Sequence, residues 1–100
     1  MLTVRLKIVE EGLKHPLHTL RQAIAERLLS NNVVISEDAD VELKIKFMRQ
    51  YNRDVILIQQ RDAASKHKIN EKLMRYYAET WIQDVAENSA LLIGDSEYAA

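Results

Sequence analysis

Two histidines near the start of the chain have a spacing that suits metal binding. His15 and His18 are three residues apart, so on one helix face they can bring two imidazoles to the same ion. They lie on either side of Pro16, where a helix is predicted to begin, and the third histidine, His67, is far along the chain. No cysteine is present to complete such a site. We therefore interpret both as surface histidines.

A short acidic run offers a second candidate for metal binding. Glu37, Asp38 and Asp40 are close together in the sequence. A calcium loop also needs a glycine at its turn and a glutamate further along, and neither stands at the required spacing here. We predict a solvated acidic turn, and we expect no metal ion and no cofactor.

The motifs of the common enzyme classes are missing from the sequence. There is no G-x-S-x-G motif for a nucleophile, and with only Gly12 and Gly94 there is no glycine-rich phosphate loop. Paired-carboxylate hydrolysis needs two acids fixed at a cleft, yet no acid interrupts an apolar run. We predict that the protein is not an enzyme.

Composition indicates an ordinary globular domain. The chain has 100 residues, 29% of them charged, and a net charge of −1, so no global charge drives it toward nucleic acid or an anionic membrane. We predict a single domain over residues 1–100, with its core in 1–88 and a tail in 89–100. The absence of cysteine excludes disulfides and thiol catalysis. The charged start is unlike a signal peptide, and we expect a cytoplasmic protein of bacterial or phage origin.

Three segments predict strands. Residues 2–8 and 41–48 alternate apolar and polar side chains with period two, while residues 55–58 are apolar on both faces, as in a central or doubly covered strand. The turn at 50–53 makes the last two an antiparallel hairpin. The first strand reaches the hairpin through a helix and is expected to lie parallel to its neighbour. The apolar segment 33–35 has no predicted place.

Two helices are predicted around these strands. The first begins near Pro16 and carries one apolar stripe: Leu17, Leu20, Ile24 and Leu28. The second is predicted over residues 62–88, with Asp62 or Ser65 as its N-terminal cap. Its later turns carry a second, rotated stripe: Met74, Ala78, Trp81, Ile82 and Val85. We expect the tail at residues 91–93 to cover this stripe, or the stripe to form a surface for self-association or for a partner.

These elements predict an α+β fold, a two-layer βαββα domain with a small mixed three-stranded sheet and two helices on one face. If Leu43 and Ile45 face the helices, four basic residues share the other face: Arg5, Lys7, Lys44 and Lys46. Arg49 and Arg53 flank the hairpin turn. Such a face either contacts phosphates or keeps an exposed sheet soluble and protects its edges from aggregation.

The tripeptide Glu79-Thr80-Trp81, within the order strand–helix–strand–strand–helix, resembles the DinI-like family of DNA-damage-inducible and prophage proteins. That family carries Glu-Thr-Trp or Glu-Ile-Trp late in its final helix, and the resemblance covers about residues 1–88. It implies a role in binding the RecA recombinase and modulating its filament, and so the SOS response. Two features depart from the family: the last helix here is not strongly acidic, and the link at residues 59–68 is longer.

We therefore predict a small regulatory protein that acts by protein–protein binding, with RecA or another host regulator as its partner and a homodimer as one form. The predicted partner surface is in the last helix: Tyr77, Glu79, Trp81, Ile82, Asp84 and Glu87. The alternatives are a nucleic-acid-binding module that uses the basic residues of the sheet, and a structural homodimer of phage or prophage origin.

Overall fold

A computed structural model describes residues 2–10, 17–76 and 79–97 of the chain. Within them the elements are β1 (Leu2–Glu10), α1 (Leu17–Leu29), β2 (Val33–Ile35), β3 (Val41–Gln50), β4 (Arg53–Asp62), β5 (Lys68–Arg75) and α2 (Trp81–Glu97). The strands form one sheet in the order β2-β1-β3-β4-β5. β1 pairs in parallel with both β2 and β3, whereas β3, β4 and β5 are antiparallel to their neighbours.

The predicted three-stranded sheet is wrong, because the sheet has five strands. The unplaced segment 33–35 is β2, which adds one edge beside β1. The other additional strand, β5, pairs along β4 from Val55–Arg75 to Arg61–Lys68. The class remains α+β, and the predicted parallel pairing of β1 with β3 and antiparallel hairpin of β3 with β4 are confirmed.

The predicted single helix over residues 62–88 is also wrong, because its first half is a strand. Asp62 and Ser65 do hydrogen-bond, but in a turn: the Ser65 backbone N–H donates to Asp62 Oδ2 at 2.8 Å and its hydroxyl donates at 3.0 Å. A carboxylate that accepts from nearby N–H groups suits a helix cap and a turn equally. Here the turn returns the chain along the free edge of β4, and α2 begins only at Trp81.

The rotated apolar stripe is consequently divided between two elements. Met74 lies in β5, while Trp81, Ile82 and Val85 lie in the first turns of α2; Ala78 is outside the described residues. The predicted tail is the second half of α2, in which Leu92 and Ile93 are buried and Leu91 is exposed. Residues 98–100 of that tail are outside the described part.

Both helices pack on one face of the sheet, although the second is α2 and not the helix that was predicted over residues 62–88. Leu20, Ile24 and Leu28 of α1 are buried, and they belong to one apolar cluster with side chains of the sheet and of α2, including Leu43, Ile45, Ile56, Ile58, Val85 and Ile93. Within the described residues, no helix is long and apolar enough to cross a lipid bilayer.

Three turns place residues other than glycine at positive φ, and one of them holds Lys66 at φ 64°. Asn32, after α1, has φ 62°, as expected for asparagine at a helix end. The β3–β4 hairpin has Tyr51 at φ 51° and Asn52 at φ 61°, which is the sign pattern of a two-residue type I′ turn. Asparagine tolerates this region well, but tyrosine does not.

Candidate functional site

The face of the sheet opposite the helices carries a compact arrangement of basic and aliphatic side chains. Because paired residues point to the same side of a sheet, the register places Lys7 beside Lys44 and Lys46 beside Leu57. Leu57 is in turn beside Leu73. We call this surface the open face and define it by these residues: Lys7, Val9, Lys44, Lys46, Met48, Leu57, Leu73 and Arg75.

No element of the described ranges covers the open face. Lys7 and Leu73 are exposed, and Val9, Lys44, Lys46 and Leu57 are partly exposed. Leu73 retains 51% of its accessible surface, which is high for a leucine set beside another aliphatic residue. The predicted grouping of Arg5, Lys7, Lys44 and Lys46 on one face is confirmed by the register.

A buried ion pair bounds the open face on one side. Glu42 projects to this side of β3 but is only 1% exposed, because Arg61 Nε lies 3.3 Å from its Oε2 and Lys66 Nζ lies 3.4 Å from its Oε1. Arg5 lies next along β1, where its guanidinium donates to the Glu37 carbonyl oxygen at 3.0 and 2.7 Å. Arg5 and Arg61 are thus both engaged by contacts at this side of the open face.

The lysines of the open face repel one another. Partial burial lowers the pKa of Lys44 below its ordinary value, and the positive charges of Arg61, Lys46 and Lys7 lower it further, against an opposing effect of Glu42. The repulsion between these positive charges, though not the effect of burial, would be relieved by the approach of an acidic group.

At the other side, the open face continues into a shallow depression at the hairpin turn. Its volume is about 490 Å³, and it is lined by Gln50, Tyr51, Arg53, Val55, Leu73, Met74 and Arg75. Tyr51 is 92% exposed. Within the described residues, the guanidinium groups of Arg53 and Arg75 make no hydrogen bond or ion pair. The depression therefore offers two guanidinium groups beside aliphatic side chains and one aromatic ring.

The predicted basic residues do not all lie together. Arg53 borders the depression, whereas Arg49 has the same strand phase as the buried Phe47 and so projects to the side of the helices. The structure thus groups five of the six predicted residues on the open side and separates Arg49 from them.

The predicted partner surface of the last helix is distributed differently from the expectation. Trp81 and Ile82 are partly buried against the core, where the Trp81 ring is 5.6 Å from that of Phe47 and 5.0 Å from that of Tyr76. Asp84 accepts a hydrogen bond from the Thr80 hydroxyl at 3.0 Å. Glu79 and Glu87 are exposed, and Tyr77 is outside the described residues. A role for these residues in binding a partner stays a prediction.

The acidic turn lies at the edge of a different depression, lined by Arg5, Asp38, Ala39, Asp40, Asp62, Ala63 and Ala64. Hydrogen bonds from Ser65 lower the pKa of Asp62. Across the described ranges, no three carboxylates or imidazoles are placed so as to hold one metal ion.

Sequence reasoning missed the aliphatic and arginine members of the open face: Met48, Leu57, Leu73 and Arg75. Leu57 was detectable, because residues 55–58 are apolar on both faces and only one face can meet the helices. Leu73 and Arg75 were not, because they belong to the segment that was predicted to be helical.

Comparison with known proteins supports the fold alone. No protein-family model and no curated protein sequence matches the chain. Among solved structures, TolB from Acinetobacter baumannii is similar, with a TM-score of 0.59 and 8% identity over 89% of this chain. This chain spans 26% of the length of TolB. Protein XCC0632 from Xanthomonas campestris, of the family DUF330, has a TM-score of 0.53 and 9% identity, and the match covers 97% of this chain and 80% of that one.

Proposed function

We propose that this protein is a non-catalytic regulatory domain that binds an acidic segment of another protein on its open face. The observation that carries the proposal is one row of side chains. Lys46 is paired in register with Leu57, and Leu57 with Leu73, so a basic side chain and two aliphatic side chains lie side by side. A segment with carboxylates and apolar side chains complements such a row.

The positive charge of the open face favours a negatively charged partner. The open face carries Lys7, Lys44 and Lys46, and Arg53 and Arg75 border the adjoining depression. Two described acids share this side of the sheet, and each already contacts a base: Glu42 contacts Arg61 and Lys66, and Glu71 lies 3.3 Å from Lys68. A second copy of the chain would therefore be repelled if the two open faces met. An acidic partner would instead relieve the repulsion at Lys44.

The uncharged members of the open face favour a protein over a nucleic acid. Proteins that bind single strands stack bases on aromatic rings, but Val9, Met48, Leu57 and Leu73 are aliphatic or contain a thioether. Among the described residues that line the depression, Tyr51 is the one aromatic residue, and it stands at the turn rather than on a strand. Aliphatic groups provide the apolar contacts that anchor peptide side chains.

RecA is the partner that the resemblance to the DinI-like family implies, and with it a cytoplasmic location and a role in the SOS response. We keep it as one partner to test. Glu79 and Thr80 precede α2, and Trp81 is its first residue, whereas the family carries this tripeptide late in its final helix. The open face is therefore our preferred surface, and the exposed acids Glu79 and Glu87 are secondary.

Fluorescence anisotropy with three labelled probes tests the proposal. The probes are a short peptide that alternates glutamate with leucine, the same peptide with lysine in place of glutamate, and oligothymidylate; a filament of RecA on single-stranded DNA is titrated separately. The variant Lys44→Glu/Lys46→Glu reverses the charge of the open face. The matched control Arg21→Glu/Arg27→Glu makes the same change on exposed positions of α1.

We expect the acidic peptide to bind, the basic peptide not to bind, and the open-face variant to weaken binding about tenfold or more. The control on α1 should stay within about twofold of the wild type. Tight binding of oligothymidylate that the open-face variant abolishes, with a log–log salt slope near 0.7 for each phosphate contact, would instead establish the nucleic-acid alternative. Equal losses in both variants would show non-specific charge attraction and refute the proposal.

A further inference from the structure

Strand β5 forms a long free edge of the sheet. It is last in the order β2-β1-β3-β4-β5, and no strand of the described chain pairs with its outer side. β5 has 8 residues, whereas β2 at the opposite edge has 3. Long edges present unpaired backbone groups to other chains, which is why proteins usually shorten or protect them.

Hydrogen bonding determines which residues of β5 present those groups. The Tyr76 backbone N–H donates to the Asp54 carbonyl oxygen at 3.0 Å, so Tyr76 directs its backbone toward β4. Successive residues of a strand direct their backbone groups to opposite sides. Glu71, Leu73 and Arg75 therefore direct their N–H and C=O groups outward, and these groups are available to a further strand.

The side chains on this edge are complementary to those on the same edge of a second copy, in one antiparallel register. If Leu73 stands opposite Leu73 of the partner subunit, Glu71 stands opposite Arg75 of the partner subunit, and this pair occurs twice by symmetry. Opposite-charge and aliphatic cross-strand pairs both stabilise a sheet. Registers centred on Glu71, Lys72 or Arg75 would instead set like charges against each other.

Exposure is consistent with such a pairing. Leu73 is 51% exposed and Ile69 is 48% exposed, although both lie within a strand. The Glu71 side chain is 41% exposed, and it can accept a further hydrogen bond while it retains Lys68 and the Gln59 amide, which donates to it at 3.0 Å. The edge is thus open to a partner without loss of an existing contact.

We propose that two copies of the chain pair antiparallel through β5, with Leu73 at the two-fold axis and Glu71 facing Arg75 of the partner subunit. The product is a continuous ten-stranded sheet. A two-fold axis perpendicular to the sheet places both open faces on the same side, with Leu57 and Leu73 of each copy at the centre. This inference rests on the edge alone and stands or falls independently of the acidic partner.

Cysteine cross-linking tests the register directly, because the chain has no cysteine of its own. In a hydrogen-bonded antiparallel pair the Cα atoms are about 5.5 Å apart, which lies in the range that a disulfide spans. Leu73→Cys should therefore form a disulfide dimer under mild oxidation. Two controls carry the same change at exposed leucine and isoleucine positions: Leu91→Cys on α2 and Ile69→Cys on β5, which is away from the axis.

Sedimentation of reduced protein tests the charge pairing. An edge pair alone buries less surface than the 1,200 Å² or so that is usual for stable complexes, so we expect a dissociation constant in the micromolar range. Glu71→Arg should raise it about tenfold or more, since the change acts twice in the dimer. Glu71→Arg/Arg75→Glu exchanges the two charges and should restore the wild-type value.

The proposal is overturned if the wild type stays monomeric throughout the micromolar range. It is also overturned if Leu91→Cys or Ile69→Cys cross-links as fast as Leu73→Cys, because random collision or another register would then explain the disulfide. Far-UV circular dichroism confirms that each variant is folded before its mass is interpreted.

Discussion

Glu42 and Arg61 stand directly opposite each other in β3 and β4, and Arg61 Nε lies 3.3 Å from Glu42 Oε2. Their side chains are 1% and 14% exposed. The pair closes one side of the open face, and its carboxylate offsets only part of the positive charge around Lys44. It also places two ionised groups where water scarcely reaches them.

Removal of one member of this pair should destabilise the fold strongly. We expect Glu42→Ala to lower the free energy of unfolding by about 3–5 kcal/mol, because it leaves the largely buried Arg61 guanidinium without its counter-ion. Arg61→Ala should cost less, because Lys66 still contacts the Glu42 carboxylate at 3.4 Å. The double variant should cost much less than the sum, as for coupled residues. Urea unfolding measures all three. The exposed pair of Glu71 and Lys68 provides the control, since Glu71→Ala should change the free energy of unfolding far less than Glu42→Ala in monomeric protein.

Leu43 is fully buried beneath the helices, in the strand whose alternation is clearest in the sequence. Leu43→Ala should lower the free energy of unfolding by about 2–5 kcal/mol, the usual cost of a cavity in a core. Leu91→Ala, at a 56% exposed position of α2, should change it by less than about 0.5 kcal/mol. A loss at Leu43 as small as that at Leu91 would contradict the assigned strand phase.

Trp81 should stabilise the fold through the packing of its ring, in addition to any role in binding a partner. Its ring meets Phe47 edge-to-face at 85°, an arrangement that stabilises aromatic pairs. We expect Trp81→Ala to cost about 2–3 kcal/mol, less than for a fully buried tryptophan, and Trp81→Phe to cost about half of that. Denaturant unfolding followed by circular dichroism gives both values. Unchanged stability in Trp81→Ala would restore the view that this side chain serves a partner.

Tyr51 occupies a conformation that costs free energy for a residue of its size. Replacement by asparagine, which tolerates positive φ, should stabilise the hairpin by about 0.5–1 kcal/mol. The same change removes the ring from the depression beside Arg53 and should weaken binding of the acidic peptide. Tyr51→Val provides the opposite control, because a β-branched residue is the least suited to this turn. A stability order with valine above asparagine would contradict the assigned turn.

The pKa of Lys44 is lowered in the folded protein, and the sign of the pH dependence follows from this. Between the folded pKa and the ordinary value of 10.5, the unfolded chain binds more protons, so stability should rise as pH climbs through that window. At neutral pH the charge is therefore unfavourable, and Lys44→Met should raise the melting temperature. We expect a gain below about 1 kcal/mol, because solvent still screens a lysine that is only partly buried.

The salt dependence of Lys44→Met distinguishes the loss of charge repulsion from better packing of the methionine side chain. At about 1 M salt, where the Debye length is about 3 Å, the advantage of Lys44→Met over the wild type should largely disappear. Lys44→Arg keeps the charge and should show no gain at any salt concentration. An advantage that is independent of salt would attribute the effect to the apolar methionine side chain.

Much of the fold follows from local periodicity. β1 and β3 alternate because one of their faces is buried, and the same alternation correctly predicts that Lys7 and Lys44 share the other face. The stripe of Leu20, Ile24 and Leu28 predicts α1 for the same reason. In each case the periodic pattern indicates which side chains are buried, because apolar side chains are the ones that are favourably removed from water.

The sequence of β5 shows no such periodic pattern, because β5 is an exposed edge strand. Its eight residues include two lysines, a glutamate, a methionine and a leucine, which are ordinary helix formers, and only Asn70 and Met74 among them are partly buried. Pairing with the free edge of β4 outweighs that preference, because it satisfies backbone groups that β4 would otherwise expose. Both proposed surfaces depend on this long-range pairing, which brings Leu73 beside Leu57 and directs Glu71 and Arg75 to the edge. The amino-acid pattern by itself therefore predicts the α+β class and the helix and strands that bury one face. The two surfaces form only through strand pairing between distant parts of the chain.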